Sequence, residues 1–170
     1  MRSPTSARQR SGTRTEMTES RVVRRVARVL LLDPDDALLL IRGHDPAKPD
    51  AGDWWCTPGG GIEGTESHLE AARREVFEET GTRVADLRAL RGERRTEFDF
   101  DGCHYVQRER YFAARLDRFV PVATGWTDLE RRSTLEMRWW SASEFASRGV
   151  RSFPTDLVAR WESAVRVLQV

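Results

Sequence analysis

Two apolar segments near the start of the chain have the composition of β-strands. Residues 22–32 are mostly β-branched or aliphatic, and residues 37–41 form a second aliphatic run. The intervening residues 33–36, with the sequence DPDD, are of the types that favour turns. The pattern therefore predicts two strands joined by a tight turn.

A helical pattern follows a glycine-rich segment at residues 58–61, which is expected to interrupt regular structure. Residues 66–80 are helix formers whose apolar positions recur at spacings of three and four. These positions are Leu69, Ala72 and Val76. Thr65 is predicted to be the N-cap of this helix, and Gly81 is predicted to be its C-cap glycine.

The second half of the chain begins with a predicted β-hairpin. Residues 94–100 and 103–116 flank the dipeptide Asp101-Gly102, which is typical of two-residue hairpin turns. Residues 136–141 then predict another short strand, which contains two adjacent tryptophans.

Two helices are predicted after that strand, at residues 142–148 and 155–168. The second has five positions that are expected to face inward: Leu157, Val158, Trp161, Val165 and Leu168. Strands and helices together indicate one mixed α/β domain over residues 21–170. Residues 1–20 are rich in Ser, Thr and Arg and have few large apolar side chains, so a disordered tail is expected there.

The composition removes several functional classes from consideration. The 170 residues include 28 Lys+Arg and 27 Asp+Glu, and a clustered basic excess typical of nucleic-acid binding is missing. The longest apolar runs are far shorter than the roughly 20 residues that span a membrane. Cys56 and Cys103 have no metal-ligand spacing, so the reducing cytoplasm is the expected location.

The predicted helix at residues 66–80 carries three glutamates whose placement is unusual for a surface helix. Glu75, Glu78 and Glu79 crowd one face near the carboxyl end, where the helix dipole favours cations. A hard divalent cation such as Mg²⁺ would relieve this repulsion. The alternative is a solvated acidic face whose charge is balanced by Arg73 and Arg74.

The spacing of these residues resembles the Nudix box, G-x5-E-x7-R-E-U-x-E-E-x-G-U, where U is bulky and aliphatic. Gly60, Glu66 and the segment 74–81 (REVFEETG) occupy eight of its nine defined positions. Thr82 departs from the pattern at the last position. The preceding segment 54–60 (WWCTPGG) also resembles the usual approach to this box in the family.

The resemblance implies a Nudix-type α/β/α sandwich with a mixed β-sheet over residues 20–170. It also implies a hydrolase that cleaves a nucleoside diphosphate linked to another group, with Mg²⁺ or Mn²⁺ as its cofactor. The metal ligands would be Glu75, Glu78 and Glu79, with the carbonyl of Gly60 and with Glu66 acting through water. Arg74 would orient the carboxylates through charge-assisted hydrogen bonds.

Hydrolysis also requires a general base, and the position of this group varies within the family. Glu79 is ranked first and Glu130 second, with Glu136 as another candidate in the same region as Glu130. Glu109 is a weaker candidate, because residues 107–115 have the pattern of a strand with one solvated face.

Four residues are predicted to bind substrate. Arg42 ends the second strand, where some relatives place an arginine on the substrate phosphate. Trp54 and Trp55 could stack on a base, although strand alternation directs one of the two rings to the core. Phe98 keeps an aromatic residue where some relatives that hydrolyse dinucleoside polyphosphates have a tyrosine.

Substrate motifs outside the box are missing, which weakly favours a nucleoside triphosphate or a related small nucleotide. A nucleotide-sensing Nudix domain that does not hydrolyse is the alternative, although it would be expected to lose the box carboxylates. An isomerase of the same superfamily is a third reading, for which Cys56 lies too close to the box. The sequence leaves a homodimer open.

Overall fold

The computed structural model describes residues 20–169, which form eight strands and four α-helices. The strands are β1 Ser20–Leu32, β2 Leu38–Gly43, β3 Trp54–Cys56, β4 Gly59–Gly61, β5 Arg88–Phe100, β6 Cys103–Arg115, β7 Thr134–Trp140 and β8 Ser152–Phe153. The helices are α1 His68–Thr80, α2 Asp128–Ser133, α3 Ala142–Arg148 and α4 Leu157–Leu168. A short 3-10 helix spans Pro49–Ala51.

All eight strands belong to one sheet, and the sheet is mixed, as the resemblance implied. The order along the sheet is β5-β6-β1-β2-β3-β8, while β4 pairs with β1 and β7 pairs with β2. The β1–β6 and β3–β8 pairs are parallel and the other pairs are antiparallel. The long β5–β6 hairpin turns at Asp101-Gly102, at the predicted place.

Helices cover both faces of the sheet, and the α/β/α sandwich is confirmed. Strand alternation sends Val29 and Leu31 of β1 toward α1, where they join the buried side chains of Ala72 and Val76. The alternate residues of β1 face α3 and α4 on the other side. That second core includes Leu30, Leu32, Phe145, Leu157 and Trp161.

Helix α1 begins later than the sequence predicted. Its N-cap is Ser67, which forms a capping box with Glu70, and the prediction of Thr65 is wrong. Thr65 and Glu66 lie outside the helix, in a turn in which the Glu66 N–H donates to the Glu63 carbonyl. The end is as predicted: Gly81 adopts a left-handed conformation with φ of 73°.

Three other boundaries or faces differ from the prediction. Residues 59–61 do not interrupt the sheet but form β4, which pairs with Val26–Arg28 of β1. Strand β5 begins at Arg88 rather than residue 94. In α4, Leu157 and Trp161 are buried as predicted, whereas Val158 is 50% exposed because it lies on the outer side of the helix.

The predicted disordered tail lies outside the described residues, apart from Ser20, which begins β1. Within residues 20–169, no helix combines the length and apolar character needed to cross a membrane.

Candidate active site

Three carboxylates from two separate elements converge beside the glycine-rich strand β4. Glu75 and Glu79 lie one turn apart on α1 and are 6% and 8% exposed. Glu130 comes from α2, and one carboxylate oxygen of each of the three lies within 4.8 Å of the others. We call Glu75, Glu79 and Glu130 the carboxylate cluster.

Glu79 is buried against the backbone of β4. The N–H of Gly59 donates a 2.7 Å hydrogen bond to its Oε2 atom. Burial, together with the charge of Glu75, raises the pKa of Glu79 to about 8, against the opposing effects of the Gly59 bond and Arg28. A cation at this point would favour the charged carboxylate, which the protein alone disfavours.

The carboxylate of Glu75 lies against the backbone of β4 at Gly60, where a larger residue would displace it. A Cβ atom on Gly60 would sit 2.3 Å from Oε1 of Glu75. Burial also raises the pKa of Glu75, although Arg74 opposes this shift. The glycine run of the motif therefore permits close approach between the backbone and a carboxylate.

Arg74 donates five hydrogen bonds, of which three link α1 to the preceding segment. Its guanidinium donates to both oxygens of Glu66, at 2.7 and 3.2 Å, and to the Gly61 carbonyl at 2.8 Å. It also donates to Glu75 at 2.9 Å and to Glu78 at 3.0 Å. These carboxylates raise the pKa of Arg74, Glu66 most of all. Arg74 thus fixes the orientation of the helix carboxylates, whereas Glu66 fixes Arg74.

Glu78 has a different environment from its two neighbours in the box. Its side chain is 36% exposed, and it accepts from Arg74 rather than joining the carboxylate cluster. Within the described residues, the third member of the carboxylate cluster is therefore Glu130 and not Glu78. The sequence analysis placed Glu130 only among the candidates for the general base.

A loop that docks on the end of α1 brings Glu130 to this position. The N–H of Val122 donates to the Thr80 carbonyl, and those of Thr124 and Gly125 donate to the Glu78 carbonyl at 2.8 and 3.0 Å. A Cβ atom on Gly125 would lie 2.7 Å from Cγ of Glu78. The loop therefore satisfies carbonyl groups that a helix end leaves without partners.

Glu130 itself is held by a capping box at the start of α2. The backbone N–H and hydroxyl of Thr127 donate to its Oε2 atom at 2.6 and 2.8 Å. The spacing T-x-x-E at residues 127–130 is the sequence signal for this arrangement. It could have located α2, which the sequence analysis did not predict.

A second buried network adjoins the carboxylate cluster on the opposite side of β4. Arg28 donates to the carbonyl of Gly59 at 2.6 Å and approaches Glu109 at 3.9 Å. Glu109 is 4% exposed and accepts from Arg94 at 3.0 Å and from Tyr111 at 2.7 Å. The predicted solvated face of β6 is thus wrong at Glu109. An arginine within the apolar run of β1 was the only sequence signal for this network.

The paired tryptophans divide as strand alternation predicted. Trp55 is 6% exposed and packs edge-on against Trp140, so it is the ring of the pair that is directed to the core. Trp54 is half-buried, with its ring 6.1 Å from that of Phe100 and 5.7 Å from that of Phe153. Only Trp54 keeps a surface that a ligand could contact.

The other predicted substrate residues lie on neighbouring strands. Arg42 of β2 forms ion pairs with Asp53 at 3.1 Å and with Glu136 at 2.9 Å. Glu136 is thus paired with Arg42 and lies outside the carboxylate cluster. Phe98 of β5 stacks on Tyr105, with the ring centroids 5.5 Å apart.

The carboxylate cluster suits a hard divalent cation. Its donors are all carboxylate oxygens, which Mg²⁺ and Mn²⁺ prefer, and two of them are buried with a raised pKa. Gly60 keeps the adjacent backbone close to Glu75. The residues present therefore fit the metal that the sequence motif implies.

Comparison with known proteins agrees with this geometry. A family model described as the NUDIX domain matches residues 22–161. The chain belongs to the NUDIX family. It is therefore a Nudix hydrolase, a class that generally acts on compounds containing a linked nucleoside diphosphate and uses divalent metal ions.

Solved structures share the Nudix fold. The MutT NUDIX hydrolase from Burkholderia pseudomallei is 20% identical with a TM-score of 0.57, and the match covers 84% of this chain and 98% of that one. A NUDIX hydrolase from Nitrosomonas europaea is 21% identical, with a TM-score of 0.59 and coverage of 86% and 90%. The NUDIX domain of Shewanella oneidensis NrtR, complexed with ADP ribose, is 18% identical, with a TM-score of 0.61 and coverage of 86% and 89%.

Proposed function

We propose that this protein is a Mg²⁺-dependent pyrophosphohydrolase that cleaves a nucleoside diphosphate linked to another group, with Mn²⁺ as an alternative cofactor. Nucleoside triphosphates and related small nucleotides are the substrates we favour, in the cytoplasm. The observation that carries this proposal is the convergence of Glu75, Glu79 and Glu130 beside β4.

The proposal gives each residue of the site a defined task. Glu75, Glu79 and Glu130 would hold the metal, with Glu78, the Gly60 carbonyl and a water on Glu66 as further ligands implied by the motif. When bound, the metal neutralises phosphate charge and lowers the pKa of a coordinated water. Arg74 keeps Glu75 and Glu78 oriented through its hydrogen bonds.

The proton of the attacking water also needs an acceptor. Glu79 is our first candidate, because its carboxylate lies in the carboxylate cluster and the Gly59 N–H holds its Oε2 atom in place. Glu130 is the second, since it reaches the same point from a separate element. Arg42, Trp54 and Phe98 are the proposed contacts for the rest of the substrate.

The test is hydrolysis of a nucleotide panel with Mg²⁺, with excess EDTA and with the metal restored. The panel contains the common nucleoside triphosphates, an oxidised guanine nucleotide, ADP-ribose, NADH, a dinucleoside polyphosphate and a GDP-sugar. We expect metal-dependent release of a nucleoside monophosphate from at least one triphosphate. Turnover that persists without metal would contradict the mechanism, and tight nucleotide binding without turnover would support a sensing domain.

A further inference from the structure

A buried amide on β6 has no hydrogen-bond partner within residues 20–169. Gln107 is 0% exposed, yet both its Oε1 and its Nε2 atoms are unpaired in the described part of the chain. Leaving a buried polar group without a partner costs about 1–3 kcal/mol, and an amide has both donors and an acceptor to satisfy. A buried group that lowers stability in this way calls for an explanation.

The pairing of the strands shows which residues share a face with Gln107. It lies opposite Arg24 of β1 and Thr96 of β5, and Glu109 and Tyr105 are two residues away on the same strand. Because side chains alternate along a strand, Tyr105, Gln107 and Glu109 point to the same side of the sheet. This side is opposite to the one packed against α1.

Two sets of contacts connect this face of the sheet to residues at the carboxylate cluster. Glu109 approaches Arg28, which donates to the carbonyl of Gly59, whose N–H in turn donates to Glu79. Arg24 lies beside Gly61, since a Cβ atom on that glycine would be 3.8 Å from its Cδ atom. Gln107 is therefore a near neighbour of groups that border the proposed metal site.

The neighbours of Gln107 have the chemistry of a base-binding surface. The Nε atom of Arg24 is a buried donor that also lacks a hydrogen-bond partner among the described residues. The Arg24 guanidinium lies 4.8 Å from the centroid of the Tyr105 ring. Tyr105 also stacks with Phe98. The face thus offers the donor and the acceptor of the Gln107 amide and the Arg24 donor, which suit the polar edge of a nucleobase. Its aromatic rings suit the flat face of the base.

We propose that Gln107 is a specificity-determining residue that hydrogen-bonds to the edge of the substrate nucleobase through both its amide oxygen and its amide nitrogen. This inference rests on the proposed function, because the carboxylate cluster would hold the phosphates while the base reaches this face. The amide is enclosed in the described conformation, so binding of the base requires the side chains that cover it to move aside.

The test compares Gln107→Leu with wild type. The substitution keeps the size of the side chain and removes its hydrogen-bonding groups, and Gln169→Leu at an exposed position is the matched control. We measure kcat and KM for ATP, GTP, CTP and UTP, and for a ribosyl diphosphate that lacks a base. We expect Gln107→Leu to lower kcat/KM for the best triphosphate about 5- to 100-fold, mainly through KM, and to reduce the preference among bases. The base-free compound should be unaffected.

A parallel binding experiment separates this inference from the proposed hydrolysis. Equilibrium dialysis with the four nucleoside monophosphates should show base-selective binding by wild type that is lost in Gln107→Leu. Selective binding without hydrolysis would overturn the proposed function alone. Hydrolysis with unchanged base preference, and with a higher melting temperature in Gln107→Leu, would overturn the role of Gln107 and leave it a buried amide paired with water.

Discussion

At the scale of single residues, the site buries carboxylates close together, an arrangement that lowers the stability of the folded protein. Glu79 is enclosed beside Glu75 and Glu130, and its elevated pKa shows that the folded protein disfavours the charged carboxylate. A metal-dependent function accounts for the unfavourable free energy of this buried charge, because a bound cation stabilises the charged carboxylate.

Replacing Glu79 with Gln should therefore stabilise the metal-free protein. The amide keeps an oxygen for the Gly59 N–H and removes the buried charge, so a gain of about 3 kcal/mol is expected at pH 7, or roughly 6–12 °C in melting temperature. Thermal unfolding in EDTA checks this, with Glu78→Gln as the more exposed control.

The pH dependence of that gain follows from the raised pKa of Glu79. Below about 4.5, the ordinary glutamate value, the carboxyl is protonated in both the folded and unfolded states, and the two proteins should be equally stable. The wild-type protein should then lose stability relative to Glu79→Gln as the pH rises toward about 8. A difference that is constant across this range would contradict the assigned environment.

Arg74→Lys should weaken metal binding although the positive charge is kept. A lysine cannot reproduce the planar set of donors that reaches Glu66, Gly61, Glu75 and Glu78 together. Loss of such an orienting group typically costs 10- to 100-fold in metal affinity. Calorimetric titration with Mg²⁺ measures the change, and the adjacent Arg73→Lys should leave affinity near that of wild type.

Residues of the site were predictable where fixed spacing defined them. Gly60, Glu66, Arg74 and the box glutamates could be located because a single helix and its leading loop set their mutual geometry. The burial of Gln107 and Glu109 was missed, because a polar residue in an alternating strand is typical of a solvated face. Their burial depends on how distant parts of the chain cover that face, which local pattern does not encode.

At the scale of elements, the loop before α2 joins two parts of the site. Its backbone N–H groups bind the last carbonyls of α1, and α2 then presents Glu130 to Glu75 and Glu79. The end of α1 was predicted from Gly81, since a left-handed cap has a distinct residue preference. Its start was misjudged because Thr65 and Ser67 are both acceptable caps, and only the capping box with Glu70 separates them.

Gly125→Ala should undock this loop without unfolding the protein. The added methyl group would lie 2.7 Å from Cγ of Glu78, so the backbone must shift and carry Glu130 away from the cluster. We expect turnover to fall at least tenfold with little change in the circular dichroism spectrum. Val120→Ala, at a position 85% exposed, is the control in the same segment. Full activity in Gly125→Ala would show that loop docking does not position Glu130.

At the scale of the whole molecule, alternating and helical patterns predicted one mixed α/β domain, and the resemblance to the Nudix family implied the sandwich. Strand β1 sends successive residues to two separate cores, and both cores are built from residues of the expected type. Strand order and the pairing of β4 with β1 were not predictable, since they depend on contacts between distant segments. Strand β4 consists of glycines, whose composition is typical of a loop, so the sequence did not predict it as a strand.

Metal binding should stabilise the entire fold, because the carboxylate cluster joins α1 to α2. A ligand that binds only the folded state raises stability by mass action, by about 2.7 kcal/mol at one hundred times its dissociation constant. A melting temperature that rises with Mg²⁺ in wild type, but not in Glu79→Gln, is the expected result. An equal rise in both proteins would place the bound metal elsewhere.

The most direct test of the central claim is single-turnover hydrolysis of the preferred nucleotide by wild type, Glu79→Gln, Glu130→Gln and the exposed control Glu162→Gln. With Mg²⁺ saturating, we predict losses of at least a hundredfold for Glu79→Gln and at least tenfold for Glu130→Gln, with the control unchanged. Near-wild-type turnover in Glu79→Gln, in a folded protein that still binds the nucleotide, would contradict the assignment of the carboxylate cluster as the catalytic centre.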